Sequence, residues 1–318
     1  AETGAQAADA DIAAVVAADT VKGSDLVISG YLGKETVTNT DGDSARTTAG
    51  LVNGVTYKTG VSASAVTKVK LSDFDTGTVS FNVNGKNTDA TKYVPISAAI
   101  SSTDLTELAN AFNSKSAQTG ITAELASDKK SIMLTNADGY DIVLSDFTSN
   151  ATTKTAQVQG YYADGESENG TSQEIDGDPD NDADTILVKG TVEFTSNRAF
   201  TVLGGEDNYI SDTTASSELS KMAEVDISTS SGSAEALGII DGALSRISSM
   251  RSDLGAISNR LEKTVDALTA SSTNTSTARS RILDADYSTE TTNLSKSQII
   301  AQASNAMLAQ ANQQPQLV

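Results

Sequence analysis

Apolar residues recur at spacings of three and four along one stretch of the chain: Leu237, Ile240, Leu244, Ile247, Met250, Leu254, Ile257, Leu261, Val265 and Leu268. That spacing places them on one stripe of a helix. A helix over 234–270 would be about 55 Å long at ~1.5 Å per residue. An ordinary globular helix has about a dozen residues, so a single stripe this long needs partner helices. A second helical segment is predicted from Tyr287 to Ala311, with Leu294, Ile299, Ile300, Ala303, Ala306, Met307 and Ala311 on one face and Ser, Asn, Gln and Thr opposite. Few of those residues are large, which suits dense packing among many copies. Between the segments, Arg279, Arg281, Asp284 and Asp286 are expected to form a polar hinge, either a solvated connector or a set of charges that fixes the angle between two packed layers.

Upstream the pattern changes from helical spacing to alternation. A short helix is expected around Ala10–Ala18, and a strand interrupted by Gly30 and Gly33 from Leu26 to Val37. Val52-Asn53-Gly54-Val55 carries the Asn-Gly of a tight hairpin, and Val61 to Leu71 reads as strand. Residues 77–147 form the clearest compact unit. Strands are predicted at Thr78–Val83, from Tyr93, and at Ile121–Leu125, Ser131–Leu134 and Asp141–Leu144. A helix carrying Leu105, Leu108, Ala109 and Phe112 is capped by Ser101 or Ser102. The expectation is one helix on a small antiparallel sheet. Residues 163–184 are acidic without Lys or Arg and read as a mobile exposed loop. Strands return at Thr185–Val188, Thr191–Phe194 and Ala199–Leu203, and a Ser/Thr-rich passage leads into the long helix.

The predicted class is therefore multidomain α+β, with β-rich outer domains followed by long C-terminal helices of a bundle or coiled coil. The stretches are 1–76 (β-rich outer), 77–148 (helix on sheet), 149–188 (acidic loop and return), 189–232 (hairpin and linker), 233–276 (long helix) and 277–318 (hinge and last helix).

Charge sharpens this division. The chain of 318 residues carries a net −20. Residues 233–318 hold 8 acidic and 7 basic side chains, leaving 34 and 15 for residues 1–232. An acidic outer surface repels nucleic acid and anionic membranes, and no apolar run is long enough for a membrane span. With no Cys and no His, disulfides, thiolate catalysis, Ser-His-Asp triads and HExxH zinc sites are all excluded. No nucleotide-binding glycine motif stands in for them, so the chain reads as a non-enzyme without cofactors. One feature resembles a metal site: Asp176, Asp178, Asp180, Asp182 and Asp184 alternate and could offer oxygens to Ca²⁺. The EF-hand pattern fails, because Ala183 stands where Gly is needed and Lys189 where Glu is needed.

Three blocks in order, Arg251 to Arg260 (RSDLGAISNR), Ala278 to Tyr287 (ARSRILDADY) and Met307 to Asn312 (MLAQAN), resemble the C-terminal region of bacterial flagellin. Thr191 to Leu203 resembles the hairpin before that helix, and 77–147 resembles an inserted module of flagellin variable regions. The resemblance implies a secreted, extracellular structural protein of the bacterial flagellum. It would polymerise through its terminal helices for motility, with its acidic domains exposed. The segment 234–270 would belong to the inner-tube bundle, and 287–318 to the innermost core. Packing between subunits would use Leu237, Ile240, Leu244, Ile247, Leu254, Ile257, Leu261, Val265, Leu268, Leu294, Ile300, Ala303, Met307 and Ala311. Implied partners are other flagellin subunits, the N-terminal flagellin helices, an export chaperone, the filament cap, and an innate immune receptor touching Arg251, Leu254, Asn259 and Arg260. Residues 1–30 do not resemble the N-terminal helices, so the chain is expected to leave its apolar stripe exposed, frayed or paired between copies. A flagellin-like surface protein binding a glycan or calcium is the alternative reading.

Overall fold

The computed structural model describes residues 25–87, 92–178, 184–204, 215–225, 227–228 and 230–313. The expected helix at Ala10–Ala18 lies outside them. Two units are distinguished, 1–246 and 247–318, and each is treated by itself.

The first unit builds one arrangement twice. The outer copy opens with a hairpin, β1 (Asp25–Ser29) and β2 (Lys34–Thr38), followed by helix α1 (Ala45–Gly54), the turn α2 (Thr56–Thr59) and strand β3 (Ser62–Ser72). The inner copy repeats the order with β4 (Gly77–Asn84), β5 (Val94–Ile100), α3 (Thr106–Ser114), α4 (Ser116–Thr119) and β6 (Ile121–Leu125), continuing into β7 (Ser131–Asn136) and β8 (Ile142–Ser149). A further hairpin, β9 (Thr155–Tyr161) and β10 (Glu168–Asp176), precedes β11 (Ile186–Val188), β12 (Thr191–Thr195), β13 (Thr201–Leu203) and β14 (Ala215–Ser216).

Hydrogen bonds make the equivalence concrete at a constant offset of 60 residues. Asn53 donates to Ala63 O and accepts from Ala63 N, both at 2.8 Å, and Asn113 does the same with Ala123, both at 2.8 Å. Thr59 and Thr119 each bond back four residues and each accept the N–H two residues on. Gly60 (φ 75°) and Gly120 (φ 72°) follow, in the left-handed region that favours glycine. Ala63 pairs with Phe194 in β12, as Ala123 pairs with Leu134 in β7. The outer sheet runs β14-β13-β1-β2 and the inner one β11-β8-β4-β5, so strand for strand the two match. The inner copy is thus inserted at the place where β6 and β7 are joined by a tight turn. The C-terminal part of β3 and the β9–β10 hairpin lack a counterpart.

Each Asn replaces a neighbouring strand. Asn113 occupies the side of Ala123 turned away from β7, where the edge of the sheet would otherwise present bare backbone groups. We expect Asn53→Ala and Asn113→Ala each to cost about 1 kcal/mol, since each removes a pair of bonds to the backbone, half-buried at Asn53 and exposed at Asn113. Equilibrium urea unfolding checks the cost and should give similar values for both.

Two cores follow from the two copies. The larger gathers Val79, Phe81 and Val83 of β4, Leu105, Leu108 and Phe112 around α3, and inward residues of β3, β7, β8, β9 and β11. Four of the six Phe meet there, with Phe81 stacked on Phe147 at 4.8 Å and Phe74 edge-on to both at 6.3 Å. The smaller contains Leu26, Ile28, Val37, Ala49, Val52, Val61, Ala63 and Val202. A buried cation joins the copies. Lys189 Nζ lies 3.3 Å from Asp141 Oδ2, in the inner copy, and donates to the carbonyls of Gly42 and Asp43, in the outer one.

Several sequence expectations are corrected. Val52-Asn53-Gly54-Val55 is the end of a helix, not a hairpin. Ala45, Thr48, Ala49 and Val52 are buried at helical spacing, and Asn53 serves as the strand clamp. The helix carrying Leu108 and Phe112 is not capped by Ser101 or Ser102, which lie in a turn closed by the Ser101–Asp104 bridge. The N-cap position is Leu105, whose apolar side chain makes no capping bond, and Asp104 just before it accepts from Thr106 N at 2.9 Å. The strands of 77–147 do not form one small sheet. β4, β5 and β8 lie in one, while β6 and β7 join β3, β9 and β10 in another. Within the acidic stretch 163–184, Glu168–Asp176 form strand β10, whose Ile175 is fully buried, while 179–183 lie outside the described residues. Thr191 to Leu203 is not a hairpin, because β12 pairs with β3 while β13 pairs with β1 and β14.

The Asp104 carboxyl is held below its ordinary value, chiefly by the Thr106 hydroxyl, then by the Thr106 N–H, with Lys129 Nζ at 3.5 Å helping. Because the folded value is depressed, this contribution is present above the unfolded carboxylate range and is lost as pH falls through the folded value. An acid titration followed by NMR should show Asp104 titrating below free Asp, and Asp104→Asn should remove that part of the acid sensitivity.

Candidate assembly surface

Helix α5 runs without interruption from Ser230 to Gln313, 84 residues, or about 125 Å. The expected hinge at 277–286 is helical. Nothing between Gly255 and Pro315 is a glycine or proline, so no residue there forces a break. The threonine hydroxyls just before Arg279 are turned back onto the helix. Thr273, Thr275 and Thr277 each donate to the carbonyl four residues earlier, at 2.8–2.9 Å. Arg279, Arg281, Asp284 and Asp286 sit exposed along that continuous helix.

The apolar stripe is exposed along its length. Leu237 is 65% exposed, Leu254 64%, Leu261 65% and Leu268 65%, and Ile240, Leu244, Ile247, Ile257 and Val265 are likewise open. The expectation of an uncovered stripe holds. The stripe advances 31 residues in nine steps, about 3.4 residues each, close to the 3.5 repeat of left-handed supercoils rather than 3.6. Leu294, Ile300 and Met307 continue the exposed apolar positions, with Ala303 and Ala311 between and after them. So large an unburied apolar surface is unusual on a chain that stays alone. Arg251, Asn259 and Arg260 are exposed on the same helix, beside the stripe residue Leu254.

The acidic run does not assemble a metal site among the described residues. Asp178 is 3.2 Å from Lys154 Nζ, Asp176 Oδ1 accepts the Asp178 N–H, and Asp184 accepts from the Thr185 hydroxyl. Asp180 and Asp182 lie outside the described residues. Among those residues no group of three acidic side chains is placed to hold a metal ion. Nor is any helix there long and apolar enough to cross a membrane.

Residues 237–318 match the family described as the bacterial flagellin C-terminal helical region, and 78–138 match the flagellin hook IN motif. The chain is 35% identical over 280 residues to the B-type flagellin of Pseudomonas aeruginosa, across 87% of this chain and 55% of that protein. The chain belongs to the bacterial flagellins. It also resembles polar flagellin A of Vibrio parahaemolyticus (39% over 133 residues, 42% of this chain and 33% of the relative) and the Bacillus subtilis flagellin (51% over 82 residues, 26% and 27%). The chain thus spans about half or less of the relatives it matches. The hook IN match coincides with the inner copy alone. The outer copy, built by the same hydrogen bonds, went unnoticed in the sequence. The signal was the pair Asn53…Thr59-Gly60-Val61…Ala63 and Asn113…Thr119-Gly120-Ile121…Ala123.

Proposed function

We propose that this chain is a structural subunit of the bacterial flagellar filament, extracellular and serving motility, and that the stripe from Leu237 to Leu268 packs against other flagellin helices. The observation that carries this reading is the exposed stripe itself. Its length, and a spacing near 3.5, suit a multi-helix supercoil, and it lies in the part matched by the flagellin C-terminal region. The occupants are the N-terminal helices of flagellin and neighbouring subunits. Contacts with an export chaperone, the filament cap and an innate receptor at Arg251, Leu254, Asn259 and Arg260 belong to the same proposal. The duplicated β-rich module carries most of the acidic charge and stays exposed, keeping crowded subunits soluble.

The test is assembly. The chain fused behind the N-terminal helical region of the Pseudomonas aeruginosa B-type flagellin should form sedimenting filaments on addition of a kosmotropic salt. A fusion that remains monomeric across salt and concentration would overturn the proposal.

A further inference from the structure

The β9–β10 hairpin is the element that duplication does not explain, and it builds a groove. On β9, Ala156 and Val158 face the core, so Gln157, Gln159 and Tyr161 face outward. Outward residues of an antiparallel sheet are ordinarily solvated. Here Gln159 is 8% and Tyr161 9% exposed. The pairing of β9 with β10 is irregular between Asn169 and Gln173, and Gln159 Nε2 ties that stretch down by donating to Asn169 O at 3.3 Å and Gly170 O at 3.1 Å. A groove of about 630 Å³ results, lined by Lys70, Gln157, Gln159, Tyr161, Glu168 and Glu174 with neighbouring hydroxyl residues. Its floor is already fixed. Gln157 donates to Glu174 Oε2 at 3.1 Å and accepts from Ser172 Oγ at 2.8 Å, and Tyr161 OH lies 3.5 Å from Glu168 Oε1.

We propose that this groove binds a neutral saccharide. The lining is amide, carboxylate and hydroxyl almost throughout, unlike the apolar walls that select drug-like or lipid ligands. Three carboxylates (Asp73, Glu168, Glu174) against the single ammonium of Lys70 disfavour anions. The same excess of carboxylates attracts cations, although Lys70 opposes them and Glu168 and Glu174 already accept from Tyr161 and Gln157, so a cationic probe belongs in the test. A polyol matches such a surface, because each hydroxyl both donates and accepts. Tyr161, though largely buried, is the one aromatic residue along the lining. An open groove of this kind binds weakly, with Kd on the order of millimolar per copy. The site stands on the hairpin alone. Its use in adhesion rests on the filament reading, where many copies would add their weak contacts.

The experiment is saturation-transfer NMR on the whole chain with maltotriose, lactose and N,N′-diacetylchitobiose, and with spermidine as a cationic probe. At least one sugar should receive transfer. Gln157→Leu should weaken that sugar about tenfold and Lys70→Met about fivefold, as expected for lost hydrogen bonds. Thr122→Val, on β6 outside the groove, should leave it unchanged. Circular dichroism melting of each variant establishes that the fold is kept, and a variant that fails to fold is replaced by Ser172→Val. The proposal is overturned if no sugar receives transfer, if spermidine alone does, or if transfer is indifferent to the groove substitutions. Failure of filament assembly would leave this result untouched.

Discussion

Replacing Leu254 and Leu261 together by Asp is expected to leave the isolated chain folded and to abolish filament formation by the fused chain. Both leucines are about two-thirds exposed, so the monomer loses little beyond the lower helix propensity of Asp, about 0.5 kcal/mol per site. In a packed bundle each would be buried. Burying a leucine contributes about 1.5–3 kcal/mol, so the pair forgoes about 3–6 kcal/mol. That corresponds to a loss on the order of a hundred- to ten-thousandfold in subunit affinity, before the cost of bringing two carboxylates into an apolar seam. Analytical ultracentrifugation of the fused chain, with and without the substitutions, reads the effect. Equal assembly of both would place the packing surface elsewhere.

The second large effect concerns the buried cation between the two module copies. Asp141→Ala is expected to lower stability by about 3 kcal/mol, the lower end of what breaking a buried pair costs. The Lys189 side chain is 2% exposed, while Asp141 retains 20%. Removing the carboxylate takes an acidic partner from an almost fully buried ammonium, which also donates to the carbonyls of Gly42 and Asp43. Lys189→Met is expected to cost less, because the carboxylate left behind is still partly solvated. The double variant should recover most of the loss, since neither buried charge then remains. Denaturant unfolding of the four proteins in a double-mutant cycle yields the coupling directly. If Asp141→Ala is as mild as a surface substitution, the pair does not hold the copies together.

What could be read from the sequence follows from how local each signal is. The helical stripe was legible because its period repeats over nine steps, the strand at Thr78–Val83 because alternation marks it, and that at Ser131–Leu134 because a short apolar run follows the turn at Asp128-Lys129-Lys130. The duplication was hidden. It rests on a few residues, Asn53 with Ala63 and Asn113 with Ala123, whose meaning appears only when a side chain bonds a strand ten residues away. The Asn-Gly at 53–54 misled for the same reason: a turn signal is local, whereas the burial of Ala49 and Val52 that makes the segment helical is tertiary. Strand β10 was obscured by its exposed, acidic outer face. The inward positions of this edge strand include Ile175, too few to produce an alternating pattern. The groove could not be read at all, because it depends on an irregularity in the β9–β10 register.

The chain contains no cysteine, so a single introduced thiol reports its own surroundings. Ile257→Cys in the fused chain should react readily with a maleimide in the monomer and become protected on assembly. Tyr57→Cys, 74% exposed at the native residue in the outer copy, should react equally in both states. Protection at 257 with free reaction at 57 is the result predicted for a stripe that packs between helices of the filament. Equal labelling of 257 in monomer and filament would contradict it.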